Sequence, residues 1–183
     1  MKKILFAVIF TASTLASSAQ LVATKTGKIS FSSRSKIENI DAVNNEVNSI
    51  INTQTGDIVF TLLMKSFHFE RALMEEHFNE NYVESSKYPK ASFKGKITNL
   101  SEINFTTDGK YKAKVEGDLT IHGVTQKIKA DGFITVAGGK VSASSQKFEI
   151  KLKDYNISIP SLVKDKISED IDIVVDCRYE AKK

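Results

Sequence analysis

From residue 90 onward the chain alternates apolar and polar positions almost without interruption. In 90–99, Ala91, Phe93, Gly95 and Ile97 share one face, and Lys90, Ser92, Lys94 and Lys96 share the other. In 110–121, Tyr111, Ala113, Val115, Gly117, Leu119 and Ile121 alternate with Lys110, Lys112, Lys114, Glu116, Asp118 and Thr120. The same period returns in 124–136 (Ile128, Ala130, Gly132, Ile134, Val136) and in 168–179 (Ile171, Ile173, Val175, Cys177, Tyr179). A period of two predicts strands with one dry and one wet face. Further strands are predicted at 21–33, around Ile29 and Phe31, and at 42–53, with Val43, Val47 and Ile51 on one face. Residues 58–65 are apolar on both faces, Ile58, Phe60, Leu62 and Met64 against Val59 and Leu63. Such a strand needs a cover on its outer side. In 141–152 the apolar positions change phase, from Val141 and Ala143 to Phe148, Ile150 and Leu152, which predicts a bulge around 145–147.

One stretch breaks the strand pattern. In 74–89, Met74, Phe78 and Tyr82 recur at i, i+4 and i+8, which places three large apolar groups on one helical face. Glu75, Glu76, Asn79 and Glu80 occupy the other sides, and Pro89 stops the helix. The expected architecture is mainly β, with one principal helix packed at the side or mouth of an antiparallel barrel. Asp108-Gly109, His122-Gly123 and Gly138-Gly139 supply hairpin turns, and eight hairpin-connected strands remove their edges by closing.

The interior of an eight-stranded barrel is either filled by side chains or holds one small ligand. Gly95, Ala113, Gly117, Ala130, Gly132 and Ala143 are small residues at inward positions. Two readings are open: these residues leave an apolar cavity, or the glycines let strands bend and seat the helix. Under the first reading, the candidate ligand-binding residues are the inward Phe60, Leu62, Met64, Phe93, Val115, Gly117, Leu119, Ile134 and Phe148, with Met74, Phe78 and Tyr82 of the helix face.

The N-terminus alters the compartment expected. Lys2 and Lys3 precede an apolar run at 4–10 and a small-residue segment ending at Ala19, the layout of an export signal cleaved after Ala19. Residues 1–19 are therefore set apart from a single domain at 20–183, expected to be periplasmic or secreted and soluble. Of the 26 Lys and Arg residues two lie in the leader, which leaves 24 against 22 Asp and Glu. So small an excess does not suggest nucleic-acid binding. Cys177, the only cysteine, lies in an alternating strand and reads as a small buried hydrophobe, so no disulfide is expected.

Three segments share a further likeness. Met74-Glu75-Glu76-His77-Phe78-Asn79, then Lys87-Tyr88-Pro89-Lys90-Ala91-Ser92-Phe93, then 117–125 with Gly117-Asp118-Leu119-Thr120-Ile121-His122-Gly123-Val124-Thr125, together resemble the YceI-like family. The likeness runs through the whole chain after the leader. It implies a lipocalin-like barrel with a helix at its side, periplasmic export, and an elongated apolar cavity for a polyisoprenoid chain. His122 stands at a turn position where family members often carry a basic residue such as Arg.

No nucleophile elbow, phosphate-binding glycine loop or Cys-x-x-Cys pair is present. His77 near Glu76 and Glu80 matches no zinc spacing, and His122 sits on a hairpin tip without an evident partner. No catalytic residue, metal or cofactor is therefore assigned. The first expectation is a non-enzymatic carrier or store for a long-chain isoprenoid or fatty lipid. The alternatives are an exported structural or stress-related barrel with no dedicated ligand, and a hydrolase or metal enzyme using His77 or His122. The outward lysines 90, 94, 96, 110, 112 and 114 add an expected peripheral contact with an anionic membrane surface.

Overall fold

The computed structural model describes residues 21–181. The leader and its cleavage point lie outside them. Ten strands are present among the described residues: β1 (Leu21–Arg34), β2 (Asn39–Asn52), β3 (Asp57–Leu63), β4 (His68–Phe69), β5 (Lys90–Ile97), β6 (Gly109–Ile121), β7 (Val124–Ala137), β8 (Lys140–Ser145), β9 (Phe148–Lys151) and β10 (Asp170–Ala181). Their order, β1-β10-β8-β7-β6-β5-β3-β2, closes through an antiparallel β1–β2 pairing. With β8 and β9 as two halves of one interrupted strand, this is the expected eight-stranded antiparallel barrel. The short β4 is extra and adds to β2 beyond the end of β3.

The phase change at 145–147 is the interruption. β8 pairs with one half of β10 and β9 with the other. Ser145 Oγ accepts the Val175 N–H at 2.8 Å where a strand carbonyl would, and Gln146 N donates to Asp131 O at 2.7 Å. Beyond that point β7 pairs only with β6. There the wall is completed by a 3₁₀ turn at Leu152–Tyr155, whose Asp154 O accepts from Gln126 Nε2 at 2.8 Å. A second irregularity lies in β2. Register shifts around Gly27 change its inward face, so buried Asn44 rather than Val43 points in, and its Nδ2 donates to Leu63 O at 3.0 Å.

The helix is shorter than its pattern suggested. α1 spans Ala72–His77 and continues as a π-helical turn over Phe78–Tyr82, closed by Val83 N–H donating to Phe78 O at 3.0 Å. Buried Val83 and Ser85 then fix a non-helical return to β5, with Glu84 at φ 44° and Ser85 N donating to Asn79 O at 2.8 Å. Among the described residues, no helix is long and apolar enough to cross a membrane.

Chain direction sorts the connections onto two ends. The 35–38, 64–89, 122–123 and 152–169 connections gather at one end, termed the mouth. The 53–56, 98–108 and 138–139 connections gather at the other, the floor. At the floor, Ile103 and Phe105 fold back onto a cluster with Val22, Ile51, Val136, Val141, Cys177 and Tyr179. Ile51 is 0% and Val136 1% exposed. Tyr179 Oη and Ser49 Oγ lie 2.9 Å apart and share a hydrogen bond, which satisfies both buried hydroxyls. Burial pushes the Cys177 thiol up to about 11, so it is an inert thiol, in line with its reading as a buried hydrophobe.

The lysine wall is not uniform. β5 and β6 are neighbours, but their register sets Lys94 opposite Asp118 and Lys96 opposite Glu116. Lys127 and Lys129 of β7 meet those acids from the other side, at 3.6 and 2.8 Å. Cations and anions therefore alternate along these rows.

Candidate functional site: an apolar cavity under an aromatic mouth

Above the floor the side chains stop filling the barrel. Phe60, Val115, Leu119, Ile128, Ala143 and Val175 point inward yet are only partly buried, because space lies beside them. That space is a cavity of about 530 Å³, within the range of single small-molecule sites. Its lining on β6 runs from Ala113 to Ile121. At the usual rise and tilt of barrel strands, this spans roughly 20 Å along the axis. The lower limit is the layer of Ile97, Ala113 and Ile134, and the floor cluster beneath it takes no part in the lining.

Eleven of the twelve candidates come together here: Phe60, Leu62, Met64, Met74, Phe78, Tyr82, Phe93, Val115, Leu119, Ile134 and Phe148 all line the one cavity. The helix face and the barrel lumen are therefore a single continuous space. Gly117 is the exception and does not line it. It stands opposite Gly95 in the β5–β6 ladder. A Cβ on Gly117 would lie 2.4 Å from Gly95 Cα and from Lys94 O, and 2.7 Å from Phe93 Cζ. The two glycines let the backbones close together beneath the Phe93 ring. The small residues thus divide between the cavity reading and a role other than strand bending or helix seating. Ala113, Ala130 and Ala143 leave cavity volume, whereas Gly95 and Gly117 serve close approach.

The mouth is aromatic. Phe78 packs against Phe31, Phe67 and Phe69 at centroid distances of 5.5, 5.7 and 5.1 Å, and Phe31 meets Phe67 and Phe69 at 5.1 and 5.7 Å. Edge and tilted pairs of this kind each contribute about 0.5–1.5 kcal/mol beyond burial. Sequence reasoning left Phe31, Phe67 and Phe69 out of the site. The available signal was the two-residue spacing of Phe67-His68-Phe69, of which His68 and Phe69 pair with β2 as β4. Charged side chains reach the cavity chiefly at its opening: Glu38, Arg71, His77 and Lys166. Arg71 and Glu38 form an ion pair across that opening, between the start of α1 and the β1–β2 hairpin.

His122 is more tightly held than a hairpin tip suggested. Its Nε2 lies 2.7 Å from Glu84 Oε2 and its Nδ1 lies 3.1 Å from Tyr155 O, with the Tyr88 ring edge-on at 4.5 Å. Both ring nitrogens face oxygens, so whichever nitrogen carries a proton has an acceptor in reach. The hydrogen bond from His122 holds the Glu84 carboxyl below its usual range. This group ties the post-helix return, the β6–β7 turn and the 152–155 turn together, and it lies outside the cavity lining. His77 Nδ1 is 3.1 Å from Asn81 Nδ2 rather than at a carboxylate. Among the described residues, no three His, Cys, Asp or Glu side chains gather as metal ligands would.

A closed antiparallel barrel with a packed floor, an apolar lumen and a helix at its mouth is a lipocalin-like barrel. The chain belongs to the YceI-like domain family, whose profile matches residues 11–179. A polyisoprenoid binding domain from Saccharophagus degradans, implicated in plant cell wall breakdown, has a similar structure. Its TM-score is 0.78 at 17% identity, over 90% of this chain and 99% of that one. BcnA of Burkholderia cenocepacia is similar at TM-score 0.68 and 16% identity, over 84% and 96% of the two chains. The Campylobacter jejuni YceI protein is similar at 0.57 and 21%, over the whole of both. At these identities the likeness establishes the fold. No curated protein matches the chain.

Proposed function

We propose that this protein is an exported, periplasmic or secreted binding protein that holds one long apolar lipid chain, polyisoprenoid-like or fatty, for carriage or storage. The observation that carries the reading is the hollow upper barrel, where partly buried inward apolar side chains flank an elongated cavity. Transfer of a chain from water into such a site gains about 0.8 kcal/mol per buried methylene, which suits a long hydrocarbon and gives little to a small polar solute. With the floor packed and charged groups confined largely to the opening, the chain lies inward and any polar end remains near Arg71, Glu38, His77 and Lys166. The Saccharophagus degradans domain is described as polyisoprenoid binding, which supports the ligand class.

The test is organic extraction of protein purified from its native host, followed by lipid mass spectrometry. The expected result is one long-chain lipid species enriched in near-equimolar amount. Recovery of no lipid from folded protein would overturn the proposal and leave a structural barrel as the better account.

A further inference from the structure

Most exposed apolar side chains need no explanation, because they lie singly on a surface. Three here are arranged otherwise. Leu162 is 95% exposed on the 3₁₀ turn Ser161–Val163, Ile37 is 64% exposed on the β1–β2 hairpin, and Leu73 is 61% exposed on α1. They come from three separate connections, all at the mouth. Their carriers are joined in series. Ser168 N donates to Ser33 Oγ at 2.8 Å, linking the 161–169 connection to the end of β1. The Arg71–Glu38 ion pair then links the hairpin to the start of α1. The result is one arc along the cavity opening, to which Leu73, Val163 and Ile167 also contribute lining.

We propose that this arc is a docking lip that presses the mouth onto the surface of a lipid bilayer. The inference rests on the lipid-cavity reading and adds where the protein meets its lipid source. Two features select a bilayer as the occupant. The exposed side chains continue into the lining of an apolar cavity, so whatever covers the lip must also let an apolar chain cross without meeting water. A bilayer meets both demands. In addition, six charges around the three tips pair among themselves, Arg34 with Asp41, Arg71 with Glu38 and Lys164 with Glu169, and the others, Lys36, Glu70, Glu76, Asp165 and Lys166, are of mixed sign. The lip therefore offers apolar insertion rather than a charged recognition surface. The lysine-bearing wall of β5 and β6 is a different face, and contact through it would need anionic lipid and fade with salt.

The test uses residues 20–183, which hold every strand of the barrel and lack the apolar run at 4–10. Binding to neutral phosphatidylcholine vesicles is measured at low and high salt for the unaltered protein and for the double variant Leu162→Asp, Ile37→Asp. Neither residue lines the cavity and both are exposed, so uptake of a fluorescent long-chain fatty probe in vesicle-free buffer should stay unchanged. The expected result is vesicle binding that salt barely weakens, reduced at least about tenfold in the double variant, since each large side chain withdrawn from the interface is worth roughly an order of magnitude. Equal binding by variant and parent, or binding that needs anionic lipid and disappears in salt, would overturn the lip. So would concentration-dependent self-association abolished by the double variant without vesicle binding, which would make the arc a contact between copies. Absence of probe uptake by the unaltered protein would instead overturn the cavity reading beneath it.

Discussion

The floor and the upper barrel are built from the same strands, with the same alternation, yet one is solid and the other hollow. At the floor, Val22, Ile51, Val136, Val141 and Tyr179 are buried against one another and plugged from outside by Ile103 and Phe105. Above the layer of Ala113 and Ile134, residues of similar type, such as Val115, Leu119 and Val175, point inward but are only partly buried and border the cavity. Residue type alone does not separate the two halves. The difference lies in the connections. The 98–108 loop sends apolar groups into its end of the barrel, whereas the helix and the aromatic group roof their end without filling it. Stability can thus be concentrated at the floor while the upper half is left open for a ligand.

Substitutions should separate the halves. The largest effect is expected at Gly117. Leu there must displace the backbone of Gly95 and Lys94, and Gly117→Leu should lose about 4 kcal/mol or fail to fold, read by urea denaturation. Next, Ile51→Ala should cost about 3 kcal/mol, while Leu119→Ala should cost about 1, because one side of Leu119 already faces space. Equal losses would mean that the two halves are packed alike.

The floor also sets an alkaline limit. Burial raises Cys177 to about 11 and Tyr155, near the mouth, to about 12, and it raises Tyr179 at the floor as well. Below about pH 7.5 these groups are protonated in both states, so their contribution is complete. As pH rises further the unfolded chain ionises first, and stability should fall by roughly 2–3 kcal/mol by pH 11, seen as a falling urea midpoint. The smallest effect is expected at the mouth. His122→Asn keeps a residue tolerant of φ 52° but loses the reach to Glu84 and Tyr155, and should cost about 1 kcal/mol. The Glu84 side of that link is lost on acidification: its depressed folded value stabilises the fold above the ordinary Glu range and ceases to do so as pH drops through the folded value.

Most of the barrel was legible because strand alternation is a local signal. All eight ring strands, the 145–147 interruption and eight of the lining residues follow from a period of two plus turn glycines, and Met74, Phe78 and Tyr82 follow from helical spacing. What was not legible depends on the third dimension. Gly117 and Ala113 occupy equivalent phases of one strand. Only the cross-strand register, which sets Gly117 against Gly95, shows that one serves backbone approach while the other borders open space. The π-helical turn at Phe78–Tyr82 was hidden for a similar reason. The i, i+4 spacing fits a continuous helix, and the turn is fixed instead by the burial of Val83 and Ser85. The partners of His122 come from residues 38 and 33 positions away in sequence, so no local pattern announces them.

The central claim, that the upper barrel is an apolar site for one chain, is tested most directly by filling it. Ala130 lines the cavity and faces space, unlike Gly117. Fluorescence titration with a long-chain isoprenoid or fatty probe should give one probe per unaltered chain. Ala130→Leu should leave the ligand-free melting temperature unchanged or slightly higher, because its added carbons enter unoccupied volume, and should weaken probe binding at least about tenfold. A variant that binds the probe as tightly as the parent, or one that unfolds as a close-packed core would, contradicts the account.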